Sequence, residues 1–182
     1  MIKYFLFFFL CSLTLEACSQ AASTTPKQAS STPAEKPMPA APAAYASTKE
    51  GWLVDLDEAY AKSVKEGKPI LANFTGSDWC GWCKRLDADV FTKPEFMEWA
   101  KKNVVLLEVD FPRRKQIPEK NRNQNAGMQQ ALQISGYPTI WLMELSKNPA
   151  NGQYNINGLG KTGYMPSAAQ FIETIDKMSS SN

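Results

Sequence analysis

The chain has 182 residues, 43% hydrophobic and 21% charged, with a net charge of +2, four cysteines and no histidine. The length allows one ordinary domain plus extra segments. Without histidine there is no Ser-His-Asp or Cys-His couple, no histidine metal site and no imidazole general base. The small net charge argues against a polyanion or nucleic-acid binder, which usually carries a strongly basic face.

Residues 1–17 open with Lys3 and a greasy run from Tyr4 to Leu15. That run has the length of a signal-peptide core and falls short of the roughly 20 residues a spanning helix needs. It ends in Leu15-Glu16-Ala17-Cys18, which resembles a bacterial lipobox, with Glu16 departing from the usual small or aliphatic residue. The resemblance implies a lipoprotein-type signal, with Cys18 as the lipidated first residue of the mature chain. The alternative is plain secretion. Either places the mature protein outside the cytoplasm, where disulfides persist. Residues 19–48 hold nine alanines and five prolines among Ser, Thr, Gln and Lys. Such a stretch buries too little to offset its chain entropy. Residues 18–48 therefore read as a lipid-bearing tether of extended, polyproline-like character.

From residue 49 to 182 the texture is that of a folded domain. Asp55 and Glu58 are spaced as a capping box for a helix whose face is Leu56, Tyr60 and Val64, closed by Gly67 and Pro69. Ile70 to Phe74 reads as a buried strand, and Cys80 to Val90 as a helix. Thr92 to Glu95 is a second capping box, with Pro94 in the first turn of a helix continuing to Lys102. Val104 to Val109 is a strand too apolar for a sheet edge. A helix follows over 125–134, then strands over 139–145 and 153–159 joined by Asn148–Gly152. The last helix begins at Pro166-Ser167, with Ser167 and Gln170 as a third capping box. This order predicts an α/β domain: a mixed central sheet flanked by helices on both faces.

The chemistry concentrates in Gly76-Ser77-Asp78-Trp79-Cys80-Gly81-Trp82-Cys83-Lys84. A C-x-x-C that follows a strand and opens a helix has the redox spacing. Cys80 falls at the helix N-terminus, where free N–H groups and the dipole favour a thiolate. Cys83 stands near enough to resolve a mixed disulfide. A structural disulfide, or half of a zinc site, is the competing reading of the pair. Trp82 reads as an apolar rim and Trp79 as packing beneath the loop. Tyr137 reads as either. Lys84 and Arg85 bias Cys80 toward thiolate or are simply solvated. The segment from Phe111 to Asn125, rich in basic residues, is a solvated loop or a docking patch for an acidic partner or anionic lipid.

Trp79-Cys80-Gly81-Trp82-Cys83-Lys84, together with Gly136-Tyr137-Pro138-Thr139, resembles the active site of the thioredoxin superfamily, and in particular its secreted or lipid-anchored bacterial members. The resemblance implies a thioredoxin fold, a cis-proline at Pro138 and substrate contact at Tyr137 and Pro138. Trp79, Gly81, Trp82 and Lys84 would support the redox pair. Two departures stand out. Gly81-Trp82 replaces the usual Gly-Pro, and the family's buried aspartate falls on Asn73, which cannot accept a proton. Glu108 is the expected substitute in proton transfer, with Asp78 as a second choice. The implied activity is thiol–disulfide exchange, with reduction of disulfides in exported proteins as the first expectation. An oxidase, an isomerase and a binding module with a structural disulfide are the alternatives, followed by a copper or zinc carrier. The expectation includes no cofactor and no metal, a dithiol electron donor, a monomer, and a lipid-anchored place on the periplasmic side of the cell envelope.

Overall fold

The computed structural model describes residues 45–181; the segment read as a signal, Cys18 and most of the stretch read as a tether lie outside them. The elements in chain order are β1 (Trp52–Leu53), α1 (Leu56–Glu66), β2 (Ile70–Thr75), α2 (Gly81–Leu86), a π-helical turn (Asp87–Phe91), α3 (Pro94–Asn103), β3 (Val105–Asp110), α4 (Glu119–Ala131), β4 (Thr139–Lys147), β5 (Tyr154–Thr162) and α5 (Ala168–Ser180). The five strands form one mixed sheet in the order β1-β3-β2-β4-β5. β1, β3 and β2 run parallel, and β4 and β5 are antiparallel additions. Every residue of β2 and β3 is buried, as expected for parallel strands covered on both faces.

Strand alternation divides the core into two layers. Leu71, Leu106, Ile140 and Leu142 face Leu86, Val90, Phe91, Phe96, Phe171 and Ile175 of α2, the π turn, α3 and α5. Ile70, Ala72, Phe74, Leu107 and Val109 face Leu56 and Ala59 of α1 and Met128 of α4. Burial of each of these large side chains contributes about 1.5–3 kcal/mol. Among the described residues no helix is long and apolar enough to cross a membrane.

The caps agree with the sequence at two of three places. Asp55 accepts the N–H groups of Asp57 (2.8 Å) and Glu58 (3.2 Å), and Gly67 closes α1 in the left-handed region at φ +65°. Ser167 accepts the N–H of Gln170. The box expected at Thr92 does not form: Thr92 Oγ1 donates back to Ala88 O at 3.3 Å, and α3 starts from an uncapped Lys93 with Pro94 in its first turn. The helix expected over 80–90 is shorter and ends in the π turn. Thr92 N–H bonds to Asp87 O there, which lets the adjacent Val90 and Phe91 both point inward. α4 starts six residues before the expected position. Asn121 and Asn125 are buried and donate to Val54 O (3.0 Å) and Asp110 O (2.8 Å), so this helix has polar side chains on its inner face. The two-residue β1 was not expected.

Candidate redox site

β2 delivers the chain to the site. After Thr75 the loop turns so that Cys80 N–H bonds to Gly76 O at 2.8 Å. The turn is tight at Gly76, where a Cβ would stand 2.5 Å from Nε1 and 2.6 Å from Cζ2 of Trp79. Cys80 is the N-cap of α2, and its sulfur accepts the N–H of Cys83 at 3.1 Å. The two cysteines are joined as a disulfide with Cα atoms 5.3 Å apart. Cys80 is 6% exposed and Cys83 2%, so substrate meets the Cys80 side first. Gly81 is exposed, with open space where a Cβ would sit.

The Tyr137–Pro138 peptide is cis. Phe74 pairs with Thr139 across β2 and β4, which sets Pro138 beside the strand end that carries the cysteine loop. The Tyr137 ring packs edge-on against Trp79 (5.7 Å) and tilted against Phe111 (5.3 Å), and its hydroxyl accepts from Gln129 Nε2 at 2.9 Å. Burial pushes that hydroxyl's pKa up against the pull of Arg113. Trp79 is packed as expected, its Nε1 donating to Phe111 O at 2.8 Å. Trp82 is 55% exposed and rests on Tyr164 at 5.0 Å. Lys84 Nζ donates to Asp78 O at 3.3 Å.

Two carboxylates were candidates for proton transfer, and they lie in different places. Asp78 accepts the backbone N–H groups of Arg113 (3.0 Å) and Arg114 (2.6 Å) on the outer side of the loop. Desolvation opposes ionisation there, but these N–H bonds outweigh it and hold the carboxyl below the usual range. Asp78 is thus a clasp for the segment after β3. Glu108 is buried and sits in register with Asn73 on the neighbouring strand. Both belong to the sheet face that carries Leu71 and Leu106, the face covered by α2. Glu108 pairs with Lys49 Nζ at 2.7 Å and accepts from Ser47 Oγ; Lys49 also reaches Asp87 at 3.2 Å. Asp87 lies one helical turn beyond Cys83, on the same helix face. Burial holds the Asp87 carboxyl above its usual range despite Lys49. Burial, with the charges of Asp110 and Glu108, pushes the Tyr45 hydroxyl up to about 12. Asn73 Oδ1 and Thr75 Oγ1, on the same face, are buried without a hydrogen-bond partner.

The sequence missed Lys49, Tyr164 and the part played by Tyr45 and Ser47, which fall within the segment read as tether. Only the early basic residue and the aromatic in a loop before the last helix hinted at them. Among the described residues no group of three His, Cys, Asp or Glu side chains is placed to hold a metal.

A cysteine pair at the mouth of a helix, beside a cis-proline that leads into an inner strand of a mixed sheet, defines a dithiol protein of the thioredoxin fold. A family model described as thioredoxin-like matches residues 51–144, and the chain belongs to that family. The chain is 35% identical over 83 residues to the disulfide bond reductase DsbH of Chlamydia pneumoniae, covering 46% of this chain and 50% of that protein. It is 32% identical over 92 residues to the thioredoxin-related protein DsbJ of the same organism, covering 50% of this chain and 26% of the other. It therefore spans half or less of the length of these relatives. The solved structure of a DsbH oxidoreductase is 27% identical and superposes with a TM-score of 0.59 over 79% of this chain and 92% of that one.

Proposed function

We propose that this chain is a thiol–disulfide oxidoreductase of the cell envelope that works chiefly as a reductase of exported proteins. The observation that carries the reading is the Cys80–Cys83 disulfide, whose Cys80 sulfur accepts the Cys83 N–H beside the cis peptide at Pro138. In the reduced protein that N–H and the helix N-terminus favour a Cys80 thiolate. The thiolate attacks one sulfur of a substrate disulfide, forming a Cys80 mixed disulfide and releasing the first substrate thiolate. Cys83 then loses its proton and attacks the Cys80 sulfur, releasing the second substrate thiolate and closing the Cys80–Cys83 bond. Two electrons pass from the protein dithiol to the substrate, and a second dithiol protein returns them. Pro138 and Tyr137 seat the substrate chain, and Trp82 forms the exposed rim. Gly81 keeps the approach to Cys80 open, and Lys84 adds positive charge beside it. Glu108 takes up the proton from Cys83, because it is the buried carboxylate beside Asn73 under α2. The name of the Chlamydia relative, a disulfide bond reductase, supports the direction. The mature chain is held at the membrane through lipid on Cys18, with residues 19–44 as the tether.

The test is a Cys83→Ser variant expressed in its native compartment. Resolution fails in that variant, so mixed disulfides at Cys80 accumulate on non-reducing gels, and the wild type turns over a protein disulfide in vitro. Absence of both adducts and turnover would leave a binding module with a structural disulfide.

A further inference from the structure

The exchange described above gives no role to the arginines around the cysteine pair. The chain has four arginines, all between positions 85 and 122. Arg122 is turned to its own loop and donates to Ile117 O at 2.8 Å. Arg85, Arg113 and Arg114 are exposed. Every ion pair among the described residues uses a lysine, so none of these three guanidinium groups is matched by a carboxylate.

Their placement is built. Arg85 lies 5.4 Å over the ring of Trp82, the residue between the cysteines. Arg113 lies 3.8 Å over the ring of Trp79, the residue before them. The nearby acids are otherwise engaged. Asp78 is occupied by the backbone N–H groups of Arg113 and Arg114, so it holds the arginines beside the loop without covering their charged ends. Asp89 accepts from the Tyr164 hydroxyl at 2.8 Å. The bond from Trp79 to Phe111 O pins the same segment a second time. Guanidinium groups stacked on tryptophan lose little freedom when they bind, and their planar fork matches a carboxylate.

We propose that Arg85, Arg113 and Arg114 form a docking rim for polypeptides that carry Asp or Glu next to the disulfide being exchanged. The proposal rests on the exchange reading and names the substrate class for that site. The cations stand on two sides of the sulfurs, so a carboxylate a few residues from a substrate cysteine meets one of them as the sulfurs come together. A flat anionic bilayer seated on the same groups would cover the disulfide, which favours the peptide.

The experiment uses reduced full-length protein and two disulfide-linked peptides that differ only in Glu or Lys beside the cysteines. Stopped-flow tryptophan fluorescence follows the second-order rate at low and high salt. Charge steering raises association rates by about tenfold or more, so the Glu peptide reacts at least about tenfold faster than the Lys peptide at low salt, and added salt narrows the gap. The R85Q/R113Q/R114Q variant brings the ratio close to one. The charge-matched control K65Q/K101Q/K102Q keeps it, because those exposed lysines lie at the opposite end of the sheet, before β2 and β3. Equal rates for the two wild-type peptides overturn the rim and leave the exchange reading intact. Failure to reduce either peptide overturns the exchange reading, and the rim with it. Binding to phosphatidylglycerol vesicles that is lost in the triple arginine variant, with peptide selectivity unchanged, assigns the rim to lipid and refutes the proposal.

Discussion

Replacing Lys49 by methionine removes the cation that pairs with the buried Glu108 and the half-buried Asp87 beneath the redox helix. Lys49 Nζ is 2.7 Å from Glu108 and 3.2 Å from Asp87, and it lies 4.8 Å over the Trp52 ring. Breaking a fully buried pair by removing one partner costs about 3–5 kcal/mol. The side chains here retain 17% exposure at Lys49, 8% at Glu108 and 27% at Asp87, so water still reaches the edge of the cluster. The expected loss is about 2–3 kcal/mol at neutral pH, read by urea denaturation. The pH dependence has a definite sign. Burial raises the Asp87 carboxyl and Lys49 opposes it, so the substitution raises it further. A carboxyl whose folded pKa exceeds its unfolded value favours folding while protonated, and that contribution is lost as pH rises through the folded value. The deficit of K49M is therefore smaller near about pH 4 than near pH 7. The K49M/E108Q pair should cost less than the sum of the singles, by about 1 kcal/mol. A K49M loss within about 0.5 kcal/mol, the range of ordinary surface changes, would refute the reasoning.

Gly76→Ala drives a methyl group into the Trp79 ring. It should cost about 1–3 kcal/mol and alter the near-ultraviolet circular dichroism of the site tryptophans; an unchanged spectrum and stability would contradict the close approach. Asp55→Ala should cost about 1 kcal/mol by urea denaturation. Desolvation raises the Asp55 carboxyl, but the bond from Lys120 and the N–H groups of Glu58 and Asp57 outweigh it and hold it below 3.8. Its contribution is thus present above the unfolded pKa and fades as pH falls, so wild type and variant converge below about pH 4. Phe171→Ala empties a site between Phe91 (5.5 Å) and Phe96 (5.8 Å) and should cost about 3–5 kcal/mol. A loss under about 1 kcal/mol would mean that α5 is not part of the core layer under the redox helix.

What could be read from sequence follows local physics. Ile70–Thr75 and Val105–Asp110 are apolar runs because both faces of the central strands are covered, so each showed as a strand within one or two residues. Cys80, Cys83 and Pro138 announced themselves by spacing and by resemblance. Other features depend on partners distant in the chain. The start of α4 was hidden because Asn121 and Asn125 face inward, toward backbone carbonyls near β1 and at the end of β3. The π turn reflects a need to bury Val90 and Phe91 side by side, which no helical period announces. β1 is two residues long and depends on pairing with Leu106 and Leu107. Glu108 could be suspected from its strand, but its partner Lys49 lies 59 positions earlier and no pattern links the two. Asp78 was legible as an acid near the cysteines; its use as a clasp required the fold.

The proposed exchange depends on Cys80 being the attacking thiolate. Alkylation of the reduced protein by iodoacetamide, followed as a function of pH with mass-spectrometric readout of Cys80, measures this directly. The expected midpoint lies below the free-thiol value of about 8.5, with Cys80 modified before the buried Cys83. A Cys80 midpoint at or above about 8.5, in a protein that fails to turn over a disulfide substrate, would contradict it.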